Sequence, residues 1–242
     1  MPSSTTIDLM QSHRSIRKFT AEAIEPQQLK HIVLAGQSAS TSSFLQSSSV
    51  IRITDRAKRN RLVTLTNNQQ YVADAAELLV FCADLYRHHR IVPDSKLGFT
   101  ELTLISAIDT AMMGQNALLA AESLGLGGVF IGSIRSFPDE VCELLSLPQY
   151  VFPLFGLCLG HPGEAPEVKP RMPLTMLMHE NTYQTLDNNQ LEAYDNNVRD
   201  YYKARTHNTK SVSWSDMLSA KLAKESRPFM ADCLQKQQLA TQ

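Results

Sequence analysis

The apolar residues of this chain fall into two patterns, continuous runs and helical spacing. Residues 78–83 form an uninterrupted apolar run between Glu77 and Asp84. A run of this kind predicts a strand that is covered on both faces and lies centrally in a sheet. Residues 104–124 are apolar or small on nearly every side, which predicts a buried helix in the core or at a dimer interface.

Other segments continue the two patterns. Pro26 begins a predicted helix, because proline suits a first turn, and Ser136 and Asp187 are predicted N-caps. Strands alternating with helices predict a sheet flanked by helices, of the α+β or α/β class. Further predicted helices span 57–65, 138–145, 188–206 and 214–234, and further predicted strands span 50–54, 129–132 and 151–159.

Composition narrows the function classes. The 242 residues are 43% hydrophobic, so the chain can bury a full core, and its net charge of −1 gives no reason to expect nucleic acid or membrane as a partner. No apolar stretch is long enough to span a bilayer and no secretory signal precedes the first helix, which predicts a soluble, cytoplasmic protein. Because the four cysteines form no C-x-x-C pair, we expect reduced thiols: Cys82, Cys142, Cys158 and Cys233.

Several common catalytic motifs are missing from the sequence. Gly125, Gly127 and Gly128 follow a predicted helix and precede a strand, the reverse of the order in a dinucleotide-binding fingerprint. We assign them to helix capping. No G-x-S-x-G or P-loop motif occurs. His88 and His89 lie between two arginines, a setting that disfavours a metal cation, so no metal site is predicted.

Two basic clusters suit an anion. His13-Arg14-Ser15-Ile16-Arg17 places two guanidinium groups, an imidazole and a hydroxyl within five residues. Guanidinium groups match phosphate oxygens bidentately, although a solvated basic turn at a helix C-terminus is an alternative interpretation. Lys169-Pro170-Arg171 lies in a proline-rich run that restricts the backbone around two cations. It is either a rigid clamp or a surface loop.

Together these stretches resemble the oxygen-insensitive NADPH nitroreductases and NADPH-flavin oxidoreductases that carry FMN, in the subgroup with a long C-terminal extension. The resemblance implies an α+β, nitroreductase-type fold with a central mixed sheet flanked by helices. It also implies a homodimer with FMN at the subunit interface and one domain over 1–242, in which 187–242 is a helical extension that contacts NADPH and acceptor. Further matching segments are 42–46, 109–113, 120–128, 153–160 and 224–229.

The same resemblance implies the flavin site. His13, Arg14, Ser15, Lys169 and Arg171 match positions around the FMN phosphate, so the two basic clusters are expected to close on one phosphate. Arg17 matches a position facing the pyrimidine edge of the flavin, where positive charge stabilises the reduced ring. No covalent nucleophile is expected, since the cofactor carries the chemistry. The remaining predicted cofactor-binding residues are Ile16, Thr41, Gln69, Gln70, Tyr71, Phe130, Ile131, Gly132, Ser133 and Pro170.

The implied reaction is a two-electron, ping-pong reduction of nitroaromatics or quinones by NADPH. Ser43, Phe44 and Arg227 match acceptor-side positions. Arg205 and Lys210 match a basic pair that binds the 2′-phosphate of NADPH, although residues 203–210 could also form a solvated basic face. Lys210 replaces a more usual arginine, which predicts weaker selectivity over NADH. The alternative functions are an NADPH-flavin reductase acting on free FMN and a flavin-binding module without turnover.

Overall fold

A computed structural model describes residues 5–205 and 209–242. Its sheet has four strands, β1 (Ser48–Arg52), β2 (Glu77–Asp84), β3 (Gly127–Ile131) and β4 (Val151–Gly160), in the order β1-β2-β4-β3. Every residue of β2 is buried, as the unbroken apolar run predicted. All three strand pairs are antiparallel, so the parallel pairing implied by a mixed sheet is not found among the described residues.

Ten α-helices are present in the described residues. Pro26 occupies the first turn of its helix and the Asp187 carboxylate accepts the Asn189 N–H at 2.8 Å, which confirms two predicted helix starts. The predicted Ser136 cap is wrong, because Phe137 holds the N-cap position without a side-chain hydrogen bond. The helices are α1 (Thr5–Gln11), α2 (Pro26–Gln37), α3 (Arg56–Leu65), α4 (Tyr71–Asp74), α5 (Tyr86–Ile91), α6 (Thr100–Ser123), α7 (Pro138–Leu144), α8 (Asn188–Ala204), α9 (Trp214–Leu222) and α10 (Met230–Lys236).

The chain divides into two compact units, one of residues 1–166 with 227–242 and one of residues 167–226. In the larger unit, α6 covers one face of the sheet, where Leu118 packs with Phe81 and Leu157. The other face is covered by a second apolar cluster that includes Leu62 of α3 and Val141 of α7. The smaller unit has its own cluster around Tyr194, Val198 and Tyr202 of α8.

Helix α6 has two apolar faces. Ala117, Leu118 and Ala121 are buried in the core, which confirms its prediction as a core helix. Leu104, Ile108 and Met112, four residues apart, are 52%, 57% and 38% exposed. Gly125 follows the helix with φ of 77°, and the Leu126 N–H returns to the Ala121 carbonyl at 3.0 Å, so the predicted capping role of this glycine is confirmed.

The four cysteines are free and buried. Cys82 lies in β2 and Cys158 in β4, inside apolar strands as predicted. Burial raises the pKa of the Cys142 thiol to about 12. Among the described residues, no helix is both long enough and apolar enough to cross a membrane.

Candidate functional site

The basic segment 13–17 is anchored by its one apolar residue. Ile16 is buried and its N–H donates to the Gly128 carbonyl of β3 at 3.0 Å. A Cβ at Gly127 would lie 2.5 Å from Ile16 Cγ1, so only glycine allows the segment to approach the strand this closely. Arg14 and Arg17 flank this anchor and are both exposed to solvent.

Two carboxylates from distant parts of the sequence fix the same segment. His13 Nδ1 lies 2.5 Å from Glu122 Oε1, near the end of α6. Glu164 Oε1 accepts the backbone N–H groups of Arg17 at 2.7 Å and Lys18 at 3.1 Å. Both acids bond to the imidazole or the backbone and leave the guanidinium groups available.

Arg17 lies beside a second predicted flavin segment. Burial raises the pKa of the Tyr71 hydroxyl, while the charge and a hydrogen bond of the Arg17 guanidinium oppose that rise. Two residues earlier, Gln69 Oε1 accepts the Ser133 hydroxyl at 2.8 Å. The structure therefore brings Arg17, the turn at 69–71 and the segment after β3 together, although they are far apart in sequence.

Arg227 extends this group of residues. Its Nη2 donates to the Gly132 carbonyl at 3.2 Å, and its Nε is buried without a hydrogen-bond partner. The pKa of the neighbouring Arg135 is lowered by burial and by the charge of Arg227. Two guanidinium groups thus lie close together beside Gly132, an arrangement that favours a negatively charged or electron-rich ligand.

The predicted residues of β3 differ in how they can contact a ligand. Phe130 is partly exposed and makes an edge-to-face contact with Phe155, with ring centroids 5.3 Å apart. Ile131 is buried in the core cluster, so its side chain contributes packing. Gly132 has no atom closer than 3.9 Å to the position of a Cβ, which leaves its backbone open on that side.

The predicted acceptor residues Ser43 and Phe44 lie in the loop between α2 and β1, together with Thr41, which was predicted to bind the cofactor. The loop borders a cavity of about 560 Å³ that is also lined by Asp109 and Met113 of α6. Phe44 is 80% exposed. Within the described part of the chain, no hydrogen bond joins this loop to the residues around Arg17.

The smaller unit gathers the other basic residues around one aromatic ring. Lys169 Nζ lies 5.4 Å from the centre of the Tyr202 ring, and the Arg205 guanidinium lies 5.7 Å from it. The Pro170 carbonyl accepts the Tyr194 hydroxyl at 3.4 Å, and the Lys210 N–H donates to the Tyr202 carbonyl at 3.3 Å. Arg171 and Lys210 are exposed. Residues 206–208, part of the predicted basic face, lie outside the described residues.

The donor chemistry of these residues fits a phosphate-bearing group such as FMN. Arg14 and Arg17 form no ion pair with a carboxylate anywhere in the described ranges, so no acid neutralises their charge. Arg14 Nη1 donates to the Pro166 carbonyl at 3.3 Å and Arg17 bonds to the Tyr71 hydroxyl, and a guanidinium has five N–H donors, so each keeps donors for a ligand. Glu122 uses only Nδ1 of His13, which leaves Nε2 for another partner. A second cavity, of about 260 Å³, is lined by His13, Arg14 and Glu122. Cationic donors of this type are the usual ligands of phosphate.

Residues 10–161 match the family model described as "Nitroreductase family", and residues 169–242 match the model described as "Nitroreductase family, C-terminal domain". The chain belongs to the nitroreductase family. The family and the nitroreductase-type fold predicted from the sequence are thereby confirmed.

Similar proteins support the same family over the whole chain. An oxygen-insensitive NADPH nitroreductase of Salmonella typhimurium is 55% identical over 238 residues, which cover 98% of this chain and 99% of the relative. An NADPH-flavin oxidoreductase of Vibrio harveyi is 51% identical, with 98% and 99% covered. The crystal structure of nitroreductase A from Vibrio parahaemolyticus matches with a TM-score of 0.94 at 48% identity, covering 99% of this chain and 100% of that one.

Several residues of the site were missed in the sequence. Glu122 and Glu164 hold the basic segment, and Arg135 lies beside Arg227. Glu122 carries a weak signal, as an acidic residue near the end of a largely apolar helix. Glu164 and Arg135 lie on a loop and a 3₁₀ turn with no distinguishing pattern, so only tertiary contacts reveal them.

Proposed function

We propose that this member of the nitroreductase family is an FMN-dependent NADPH oxidoreductase that reduces nitroaromatics and quinones by two electrons in a ping-pong reaction. The observation that carries the proposal is the grouping of Arg17, Tyr71, Gln69, Ser133 and Gly132 around one surface, in a chain 55% identical to an NADPH nitroreductase. A further relative, 38% identical, is named FMN reductase (NADPH).

The donors of the two basic clusters would hold the FMN phosphate. His13, Arg14 and Ser15 would supply imidazole, guanidinium and hydroxyl donors, and Lys169 and Arg171 are proposed phosphate ligands on the family resemblance, because ammonium and guanidinium groups bind phosphate oxygens. When bound, the flavin accepts a hydride from NADPH and passes two electrons to the acceptor. The described residues contain no group of three or more His, Cys, Asp or Glu side chains that could hold a metal ion.

Arg17 and Arg227 would supply positive charge to the ring end of the site. Arg17 is exposed and close to the Tyr71 hydroxyl, and Arg227 is held at the Gly132 carbonyl. Fixed positive charge stabilises negative charge that develops on a bound ring system, because the donors are oriented before the reaction begins. Proton transfer is assigned to water, since no buried acid lies among these residues.

The extension over 187–242 is proposed to contact NADPH and the acceptor, with Arg205 and Lys210 binding the 2′-phosphate. Arg205 lies within 6 Å of the Tyr201 and Tyr202 rings, at 5.9 and 5.7 Å, which orients its guanidinium group before a nucleotide arrives. Lys210 is an exposed point charge.

We also propose that the protein is a cytoplasmic homodimer. The face of α6 formed by Leu104, Ile108 and Met112 is apolar and exposed along two turns, which is typical of a helix that packs against a second subunit. NADPH is an intracellular donor, and four free, buried thiols suit a reducing compartment. Light scattering during size-exclusion chromatography should give about twice the chain mass of 27.0 kDa.

Anaerobic spectroscopy tests the activity. The purified protein should be yellow, and NADPH should bleach the flavin absorbance, with colour returning on addition of a quinone. Protein that stays yellow with NADPH would instead be a binding module without turnover.

A second candidate is an NADPH-flavin reductase that acts mainly on free FMN, because the 51% identical relative carries that name. Steady-state rates with nitroaromatics, quinones and free FMN at one NADPH concentration separate the two activities. The acceptor with the highest kcat/KM identifies the main function.

A further inference from the structure

The loop between α2 and β1 holds an unusual backbone. Ser43, Phe44 and Gln46 have φ values of 49°, 57° and 53°, in the left-handed region that residues other than glycine rarely adopt. Three such residues occur within four positions, and one of them, Phe44, is an exposed aromatic residue. A conformation of this kind persists only when surrounding contacts hold it.

Those contacts come from α5 and α6. Arg87 Nη2 donates to the carbonyl oxygens of Gln46 at 3.1 Å and Ser48 at 2.5 Å. His88 Nε2 lies 2.7 Å from the Leu45 carbonyl oxygen, and because a carbonyl only accepts, this ring nitrogen carries the proton. Three backbone carbonyl groups, two in the loop and one at the start of β1, are thereby held by two adjacent residues of one short helix.

Ser42, at the start of the segment 42–46, is held by a residue of α6. The Ser42 N–H donates to both carboxylate oxygens of Asp109 in α6, each at 3.2 Å. Asp109 is only 2% exposed, so water competes little for its carboxylate oxygens and the bond to the loop amide is strengthened. The loop is thus fixed at its start by a carboxylate and at its end by two cationic or proton-donating side chains.

Arg87 is itself held in position. Its Nε lies 3.7 Å from Asp84 Oδ2, and Asp84 is a buried residue at the end of β2 that also accepts the Tyr86 N–H and the Ser49 hydroxyl. The guanidinium plane is therefore oriented by the sheet, and the loop carbonyls are oriented by the guanidinium.

We infer that Arg87 and His88, with Asp109, are positioning residues that hold the loop 42–46 in its left-handed conformation and so present Phe44 as a rigid wall for a flat aromatic acceptor. The inference rests on the proposed function, in which Ser43 and Phe44 lie on the acceptor side. An aromatic ring that is 80% exposed yet fixed by its backbone can stack on a planar ligand with little loss of side-chain freedom. None of the three positioning residues needs to touch the acceptor.

Four variants of the full-length protein test the inference. Arg87→Met and His88→Leu remove the donors, whereas His88→Gln keeps an amide donor near the position of Nε2. Arg90→Met is the matched control, because Arg90 is an exposed arginine on the same helix with no hydrogen bond to the loop. Hydrogen exchange measured by mass spectrometry on folded protein reports the loop directly, without reference to turnover.

Arg87→Met and His88→Leu should speed amide exchange in residues 42–47 by about tenfold, the effect of losing one good hydrogen bond. They should lower kcat/KM for menadione or a nitrofuran by a similar factor. Ferricyanide, which takes electrons without stacking on a ring, should be reduced at nearly the wild-type rate. His88→Gln and Arg90→Met should resemble wild type in all three measurements.

Two results would overturn the inference. One is unchanged exchange in the loop of both donor-deletion variants, and the other is an equal loss of activity toward aromatic acceptors and ferricyanide. If one variant fails to fold, the other still decides the question, since Arg87→Met and His88→Leu remove different hydrogen bonds. If NADPH does not bleach the wild-type protein, the proposed function fails, while the exchange measurements still test the positioning role.

Discussion

His13 Nδ1 lies 2.5 Å from Glu122 Oε1, so an imidazole of the basic segment is fixed by a carboxylate from the far end of α6. A carboxylate accepts only, and Nδ1 therefore carries the shared proton. Nε2 is left facing away from Glu122. The pair joins residues separated by 109 positions and orients the ring before any anion binds.

Replacing Glu122 should weaken flavin binding without abolishing it. In Glu122→Ala the His13 ring loses its fixed orientation, and we expect the Kd of apo-protein for FMN to rise by about tenfold, as for loss of one charge-assisted hydrogen bond. Glu122→Gln keeps an acceptor oxygen, so its Kd for FMN should rise less. Quenching of FMN fluorescence measures the Kd. Glu140→Ala removes an exposed carboxylate of α7 and serves as the control. An unchanged Kd in Glu122→Ala would contradict the role of Glu122 in positioning the His13 ring.

The 2′-phosphate assignment predicts a selective kinetic effect. Arg205→Ala should raise the KM for NADPH by about tenfold and leave the KM for NADH nearly unchanged, because only NADPH carries the phosphate. Lys210→Arg should improve selectivity, since a guanidinium can bind the phosphate with two parallel bonds. Steady-state kinetics with both donors measure the ratio.

A neighbouring lysine supplies the control for that experiment. Lys203 lies in the last turn of α8, two residues before Arg205; its Nζ is 3.9 Å from Asp200 Oδ1, and both side chains are exposed. Lys203→Ala should leave both KM values close to wild type. Equal changes in the KM for NADPH and NADH in Arg205→Ala would remove Arg205 from the phosphate site.

The strongest elements of the fold were predictable from local sequence. The apolar run at 78–83 predicted the buried strand β2, and Pro26 and Asp187 predicted two helix starts. The tail was predicted as one helix over 214–234, but it forms α9 and α10 separated by a break at 223–229. Pro228 lies in that break, and its missing N–H and fixed φ oppose a continuous helix.

The candidate site was only partly predictable. The resemblance selected Arg17, Gln69 and Ser133, and the structure places each beside another predicted residue. The sequence does not single out Glu122 and Glu164, because their partners lie more than 100 residues away. For Arg87 and His88 the sequence indicates only a setting unsuited to a metal cation, since a sequence does not show which carbonyl groups a side chain will reach.

The close approach of β3 to its neighbours predicts a strong stability effect at Gly128. A Cβ there would lie 2.8 Å from Leu118 Cδ1 and 2.9 Å from the Cys158 carbonyl oxygen, and the backbone carbonyl cannot move aside. Gly128→Ala should lower the free energy of unfolding by about 1–3 kcal/mol through overpacking. Urea unfolding measures it.

Gly132 provides the matched comparison. The nearest atom to its Cβ position is Arg135 Nη2 at 3.9 Å, so Gly132→Ala should change the free energy of unfolding little. Equal stability of Gly128→Ala and Gly132→Ala would mean that the β3 packing described here is wrong. Because Gly132 lies in the proposed flavin site, its variant should affect FMN binding more than stability.

The pair between Lys236 of α10 and Asp139 of α7 predicts how stability changes with pH. A hydrogen bond from Lys236 lowers the pKa of Asp139, and the same bond raises the pKa of Lys236. The pKa of Asp139 is lower in the folded than in the unfolded protein, where it is 3.8. The ionised carboxylate therefore stabilises the fold above pH 3.8, and this contribution is lost as the pH falls through the pKa of the folded state. The pKa of Lys236 is higher in the folded than in the unfolded protein, where it is 10.5. The protonated amine therefore stabilises the fold below pH 10.5, and this contribution is lost as the pH rises through the pKa of the folded state.

Asp139→Asn should therefore lower the free energy of unfolding at neutral pH. The variant should also lose less of that free energy than wild type does as the pH falls into the acid range. The effect should be small, because both side chains are more than half exposed and water and salt screen the pair. Urea unfolding midpoints at about pH 7 and about pH 3 measure it, and high salt should shrink the difference between variant and wild type at neutral pH. Glu140→Gln, at the next position, is the control. A variant that loses as much stability as wild type between neutral and acid pH would show that the pair does not contribute.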